Sequence, residues 1–356
     1  MDIPAIIKRF EKLKGSRGNW ESHWQELAKY CLPEKATITE TRTPGTKLPT
    51  TIYDSTAIQS VQILAAGLHS YLTNPSSKWF ALRFQDKELM KNDEVKVWLK
   101  DTEDRIFDAL NQSNFSQQIH EAYIDFAVFG TAILYEEEDP DDLIRFYTRP
   151  ISEIFIVENE KGRVDTIFRF FTLTANQAYK KWGKEAGKKV LDAIEAKKYE
   201  EDIGFLHVVM PRDERDVSKA DSTNKPFASL YIEISQKSLL SEGGYEEFSF
   251  FCPRFTKVSK NVYGYSSAMV ALPDIKMLNA MSKTIIKAGQ KMVDPPIVLP
   301  DDGFMLPFNA TPGAVNYKRG GTQDKMDVLD LRGNIPVGME LEEQRRSSIK
   351  RAFFVD

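Results

Sequence analysis

The chain has 356 residues, 42% of them hydrophobic and 28% charged, with a net charge of −4 and a pI near 5.8. That length and composition allow a sizeable core, suggest about two domains and exclude an intrinsically disordered chain. The acidic balance also excludes a generic nucleic-acid binder, so any contact with a polyanion has to be local and surrounded by repulsion.

An amphipathic helix opens the chain, with Trp20, Trp24, Leu27, Ala28 and Cys31 on one side, and Leu32-Pro33 breaks it. The threonine-rich stretch from Ala36 to Thr51, centred on Pro44-Gly45, reads as an extended loop or arm. Asp54-Ser55-Thr56 supplies N-cap chemistry for a second helix with the apolar stripe Ala57, Val61, Leu64, Ala65 and Leu68, which Thr73-Asn74-Pro75 ends. Trp79 to Phe84 is expected to form a short strand. A third helix runs from about Asp93 to Leu110 with Val95, Trp98, Leu99, Ile106 and Leu110 inward, and a fourth begins near Phe115 and yields to a strand after Gly130.

From Thr131 the pattern turns to β. Thr131–Tyr135 and Leu143–Tyr147 flank an acidic run, Glu136 to Asp142, that reads as a solvated hairpin turn. Further strands are expected at Ile154–Glu158, Val164–Leu173, Phe205–Pro211, Ser229–Lys237 and Glu247–Pro253, with one helix between Ala175 and Ala196. The body is therefore mixed α+β.

A long helix follows. Ile275, Leu278, Met281, Ile285 and Met292 recur near a 3.6-residue spacing, and Pro273 fits the first turn with Asp274 beside it at the positive end of the dipole. Pro295-Pro296 forbids continuation, leaving roughly 20 residues, or about 30 Å of rod. Lys276, Lys283, Lys287 and Lys291 fall within a narrow sector of that rod and form a basic stripe. It reads either as a solvated face or as a local polyanion contact.

Residues Ile297 to Ile335 hold many Pro, Gly and Asp around short apolar runs such as Val328-Leu-Asp-Leu, and read as a small excursion of short strands. Helical spacing resumes from Met339 to Phe354 through Leu341, Ile349, Ala352 and Phe353. The apolar run ending at Asp356 carries no capping or breaking signal, and further C-terminal sequence is expected beyond it.

Catalytic signatures are absent from the sequence. Lys181 to Lys189 resembles a phosphate loop, but it has one residue too few between its glycines and Lys189 where Ser or Thr must meet magnesium. His120-Glu121 lacks the second histidine of a zinc hydrolase, and neither His23, His69 nor His207 lies near it in sequence, so His120 reads as a core or capping residue. There is no nucleophile elbow, dinucleotide fingerprint or Cys/His cluster. Cys31 and Cys252 stand far apart, as free buried thiols in a reducing compartment do. The N-terminus is too charged for a signal peptide, and the longest apolar run, Ala122 to Tyr135, contains Asp125 and is too short to span a membrane. The expectation is a soluble cytoplasmic or particle-associated protein that is not an enzyme and takes neither cofactor nor metal.

Several segments, in one order, resemble the portal or head-to-tail connector of short-tailed, podovirus-type bacteriophages. They are Trp24 to Pro33, Asp54 to Ala57, Leu64 to Pro75 and Trp79-Phe80, then Ser113 to Phe115, His120-Glu121, Phe129 to Thr131 and Val164 to Thr166. Gly244 to Phe248, Tyr263-Gly264, Leu272 to Lys276 and Asp294 to Pro296 complete the series.

The resemblance implies a portal-type α+β subunit with a mixed helical and β wing (1–266), a stem helix (267–293), a small β-containing clip (294–335) and a returning stem helix (336–356). Such portals continue past Phe354 into a crown region, which is absent from this sequence. The resemblance further implies a homo-oligomeric ring, usually of twelve subunits, at one capsid vertex of the virion, assembled in the host bacterial cytoplasm. Double-stranded DNA is packaged through it by terminase and later ejected through the tail. Capsid, scaffolding and tail adaptor proteins are the other implied partners, and no membrane is involved.

In such a ring, Lys276, Lys283, Lys287 and Lys291, with Lys318 and Arg319 of the clip, are expected to make weak, interchangeable phosphate contacts without base readout. The competing expectation pairs the four stem lysines with Glu340, Glu342 or Glu343 of a neighbouring subunit. The alternatives from other classes are a phage-associated metal-dependent nuclease and a non-ring scaffold or interaction protein.

Overall fold

A computed structural model of the chain describes residues 2–43, 45–47, 51–293 and 335–355, together with the backbone of a strand pair at Ile297–Val298 and Asp327–Val328. The fold is mixed α+β. Two helices, α1 (Ile3–Ser16) and α2 (Gly18–Cys31), replace the single opening helix expected from sequence. They are joined at Arg17, whose side chain reaches into the β region. The Asp2 carboxylate caps α1 by accepting the Ala5 N–H at 3.2 Å. Helices α3 (Thr56–Leu72), α4 (Asp93–Gln112) and α5 (Phe115–Phe129) follow.

Trp79 to Phe84 is not a strand. Its aromatic residues, which suggested β structure, serve helix packing instead. Phe80 stacks on Phe107 of α4 at 4.4 Å, Trp79 stacks on Phe115 of α5, and the Leu82 N–H donates to the Glu103 carboxylate. A backbone donor committed to a side chain cannot join a ladder. On α4 the buried residues are Leu99 and Phe107, whereas Trp98 and Ile106, expected inward, are exposed.

The β region holds two antiparallel sheets. One has the order β2-β1-β8, from β1 (Leu134–Asp139), β2 (Leu143–Thr148) and β8 (Phe250–Phe251). The other is a five-stranded meander of β3 (Ile154–Glu158), β4 (Val164–Thr174), β5 (Asp202–Pro211), β6 (Phe227–Glu233) and β7 (Ser238–Tyr245). The acidic run lies mostly within β1 rather than in the turn, and only its end, from Pro140, makes the turn.

Strand β7 was hidden in the sequence by Gly243-Gly244, which reads as a turn. Gly244 is there because a Cβ would sit 2.7 Å from the Phe227 carbonyl oxygen across the ladder. The single helix expected between Ala175 and Ala196 is two, α6 (Ala175–Trp182) and α7 (Lys188–Glu195), broken between Gly183 and Gly187, which both have positive φ.

Helix α8 (Ser267–Val293) is 27 residues long, about 40 Å, and α9 (Ile335–Ala352) packs against it. Pro273 lies inside α8, not in its first turn. The helix starts earlier because Ser266 caps it. Its Oγ accepts the Met269 N–H at 3.1 Å and donates to the Val128 carbonyl at 2.7 Å.

One core joins the helices to the β region, with Trp24, Val61, Phe129, Ile154, Leu272 and Ile349 among its buried members. A second lies between α1 and the meander, where Phe10 meets Phe155 edge-on at 5.1 Å. The resembling segments Trp24 to Pro33, Phe129 to Thr131 and Leu272 to Lys276 all feed the first of these cores.

Next to that core, Lys35 Nζ lies 2.7 Å from Asp125 and 2.9 Å from Glu121. Burial pushes the Asp125 carboxyl up to about 6, and the pull of Lys35 offsets only part of the rise. A folded-state value above the ordinary carboxylate value of about 3.9 means that the folded chain holds this proton more tightly. Its stabilising contribution is therefore full below about pH 4 and lost as pH rises through 6. Asp125→Asn removes the group, so the stability gap between wild type and variant is expected to shift by about 2–3 kcal/mol between pH 4 and 7. Denaturant titrations across that window check it, and a gap independent of pH refutes it.

Candidate nucleic-acid interface

The sequence of α8 fixes which side it buries. Ala268, Ala271, Leu272, Ile275 and Leu278 are buried against α2, α5 and α9. Beyond Ser282 the helix buries nothing further among its described side chains. Its far half is held by α9 alone among the described residues, where the Gly338 position approaches Ile285.

A charged network clamps the pair. Ser282 Oγ donates to Glu342 at 2.7 Å, Arg346 bridges Glu342 at 3.0 Å and Asp54 at 2.9 Å, and Arg345 meets Asp274 at 3.0 Å. Burial pushes the Asp54 carboxyl up, but hydrogen bonds from Thr56 and the Arg346 guanidinium outweigh it and hold the group below its ordinary range. Asp54, read as a cap, thus also ties the start of α3 to α9.

The four stripe lysines are all exposed but not equivalent. Lys276 pairs with Glu26 of α2 at 2.6 Å, and that hydrogen bond raises its pKa. Lys283 Nζ lies 5.6 Å from the Tyr53 ring centroid, a cation–π contact. Lys287 and Lys291 have no ion-pair partner among the described residues and flank a shallow hollow with Gly289, Gln290 and Val293. Lys318 and Arg319 lie outside the described residues.

On the acidic side, Glu342 is buried and committed to Ser282 and Arg346 of its own chain, and Glu343 meets Arg346 at 3.4 Å. Glu340 is exposed. The partner that sequence reasoning missed is Glu26, which lies 250 residues from Lys276 with no pattern linking the two.

Lys283, Lys287 and Lys291 rise about 6 Å per step along the helix. For a helix lying along a duplex, that is close to two phosphate steps of one strand, at about 3.4 Å each. Such a row can meet phosphates without reading bases.

The structure also brings together groups that the sequence kept apart. His69 of α3 and His120 of α5 lie 5.5 Å apart between ring centroids, with Ser116 Oγ 3.3 Å from His69 Nε2. Burial and the neighbouring His120 lower the His69 pKa, so this pair is a neutral packing contact between two helices. Among the described residues no group of three His, Cys, Asp or Glu is placed to hold a metal ion, and no helix is long and apolar enough to cross a membrane.

A backbone contact fixes where α8 begins. Gly130, in the left-handed region at φ 72°, ends α5 and lies directly against Gly264. Thr131 Oγ1 accepts the Gly264 N–H at 2.8 Å, and the Gly130 carbonyl accepts the Phe255 N–H at 2.9 Å. Phe129-Gly-Thr131 and Tyr263-Gly264 are thus the two halves of one junction.

A family model described as bacteriophage head to tail connecting protein matches residues 4–356. The chain is 31% identical over 358 residues to the portal protein of Salmonella phage epsilon15, and 29% identical over 361 residues to a protein described as a probable portal protein of Bordetella phage BPP-1. Each alignment covers 99% of this chain and 64% of the relative, so the chain spans just under two thirds of their length.

Proposed function

The chain belongs to the bacteriophage head-to-tail connecting protein family, and from that premise we propose that it is a portal subunit. In this reading, copies form a ring, about twelve in the resembling family, at the capsid vertex of the virion. DNA is packaged through it by terminase and leaves through the tail, while capsid, scaffolding and tail adaptor proteins meet its outer surfaces. Residues 1–266 serve as wing, α8 and α9 as stem, and 294–335 as clip.

The observation that carries the DNA role is the far half of α8, a rod braced by α9 and bearing exposed lysines short of partners among the described residues. Transport demands weak contacts, because each phosphate neutralised releases counterions and many at once would hold the duplex fast. A few interchangeable lysines on a subunit of net charge −4 suit that demand.

Substituting Lys283, Lys287 and Lys291 with Gln is expected to make the slope of log affinity against log salt shallower, by about 0.9 for every phosphate that the variant no longer neutralises. Lys276→Gln is expected to change it least, since that lysine is held by Glu26. A slope unchanged by the triple substitution sinks the phosphate role. The reading that places these lysines against a neighbour's Glu342 is disfavoured, because that carboxylate is buried and satisfied within its own chain. A nuclease reading requires magnesium-dependent cleavage of DNA by the purified chain, which we expect to be absent. Light-scattering mass and electron micrographs test the ring itself: a closed particle with a central hole supports it, and a monomer at all concentrations counts against it.

A further inference from the structure

Two surfaces of the subunit carry opposite charge, and both are short of partners among the described residues. Between Asp86 and Asp108 there are eight carboxylates against five cations, whereas between Ala175 and Lys198 there are seven lysines against three carboxylates. The first stretch is α4 and its approach, packed on α5 and β2. The second is the α6–α7 lobe, packed on β4.

The α4 surface is also apolar in an unusual way. Trp98 is 58% exposed and Val97 60%, and Phe84 stacks on Trp98 at 6.2 Å beside a groove that Glu94 and Val95 complete. Exposed aromatic patches with a charged rim mark interaction sites. Around the patch, Glu94, Asp101 and Asp108 have no ion-pair partner among the described residues.

On the lobe, Lys180, Lys184, Lys188 and Lys197 are exposed and likewise without ion pairs among the described residues, with Tyr179 and Tyr199 exposed between them. At its edge the shortage of anions reaches into the fold. The Arg149 guanidinium stacks on Tyr147 at 4.4 Å, its Nε is buried without a hydrogen-bond partner, and no carboxylate of the described residues lies within ion-pair distance. Burial lowers both the Arg149 and the Lys181 pKa, and Arg169 opposes both charges.

We propose that the α6–α7 lysine lobe of one copy docks on the acidic, aromatic α4 face of a second copy. The occupant is another copy of this chain because each surface supplies what the other lacks: carboxylates around aromatic rings on one, lysines around tyrosines on the other. The two surfaces differ, so the contact is heterologous, and repetition either closes a ring or runs on as a filament. This inference rests on the ring reading and adds the faces that meet in it.

The test is a charge exchange. One variant carries Glu94→Lys, Asp101→Lys and Asp108→Lys, and the other carries Lys184→Glu, Lys188→Glu and Lys197→Glu. All six side chains are exposed and without ion pairs among the described residues, so both variants are expected to melt as wild type does. Each alone is expected to need a protein concentration roughly tenfold or more above wild type to assemble, read by light scattering at low salt. An equimolar mixture is expected to regain assembly, because each reversed face then meets its complement.

Wild-type assembly unaffected by either set of reversals overturns the docking and leaves the ring reading intact. Variants that stay monomeric even when mixed overturn the pairing of these two faces. A wild-type chain that is monomeric at all concentrations overturns both readings.

Discussion

Gly130→Ala is expected to cost roughly 3 kcal/mol or more of unfolding free energy, and Gly264→Ala a similar amount. At Gly130 two penalties add. Its φ of 72° disfavours any Cβ, and a Cβ there would lie 2.5 Å from the Gly264 carbonyl oxygen and 2.7 Å from the Tyr265 carbonyl carbon. At Gly264 the added carbon meets the Gly130 carbonyl oxygen and Arg254. Backbone atoms on both sides cannot swing away as a flexible side chain can, so either the junction separates or the start of α8 shifts.

Separation strands the Gly264 N–H and weakens the Ser266 cap. Gly67→Ala is the internal control, since that glycine lies in α3 with nothing within 4 Å of the added carbon. There a gain of up to about 1 kcal/mol is expected from helix propensity. Urea titrations of the three variants measure both effects, and a Gly130→Ala loss below about 1 kcal/mol means that the junction is not tight.

Arg17→Met is expected to cost about 3–5 kcal/mol, and Arg17→Lys to recover only a small part of it. Arg17 is 3% exposed. Its guanidinium donates to the carbonyls of Ile151 at 3.1 Å, Ser152 at 2.8 Å and Ile154, pairs with Glu21 at 2.7 Å and stacks on the Phe155 ring at 3.5 Å. Only a planar fork can reach three carbonyls and a carboxylate while keeping one face on a ring. A methionine leaves those oxygens dry and unpaired, and a lysine brings the charge without the geometry. The expected signature is a lower denaturant midpoint at unchanged slope. An Arg17→Lys variant that unfolds like wild type would falsify the fork argument.

Local patterns in the sequence foretold most elements. The apolar spacing of Ile275, Leu278 and Met281 marks α8, Ile154 to Glu158 marks β3 to the residue, and the change from 3.6 to 2 periodicity after Gly130 marks the passage from helix to sheet. What failed were inferences that depend on what an element packs against. Trp79 to Phe84 has strand composition, but its rings meet α4 and α5. Trp98 fits the helical stripe, yet that side of α4 faces solvent.

The lysine stripe was legible as a stripe, whereas the removal of Lys276 by Glu26 was not, because the two are 250 residues apart. Arg17 gave no signal at all, since its partners are backbone carbonyls that any sequence supplies. The two glycine motifs were visible singly, and only the fold shows that they meet.

That meeting has a topological meaning. The chain departs from the end of α5 at Gly130 and comes back to the start of α8 at Gly264, arriving where it left. The whole sheet region between is thus a cassette spliced into an otherwise helix-to-helix path, and a loop closed at its own base can lengthen, shrink or be exchanged without redirecting α5 or α8. Substitution and insertion should be tolerated at turns such as Pro140 to Asp142 far from that splice, and least tolerated within a residue or two of it. A library of short insertions scanned across residues 131–263 would trace that gradient directly.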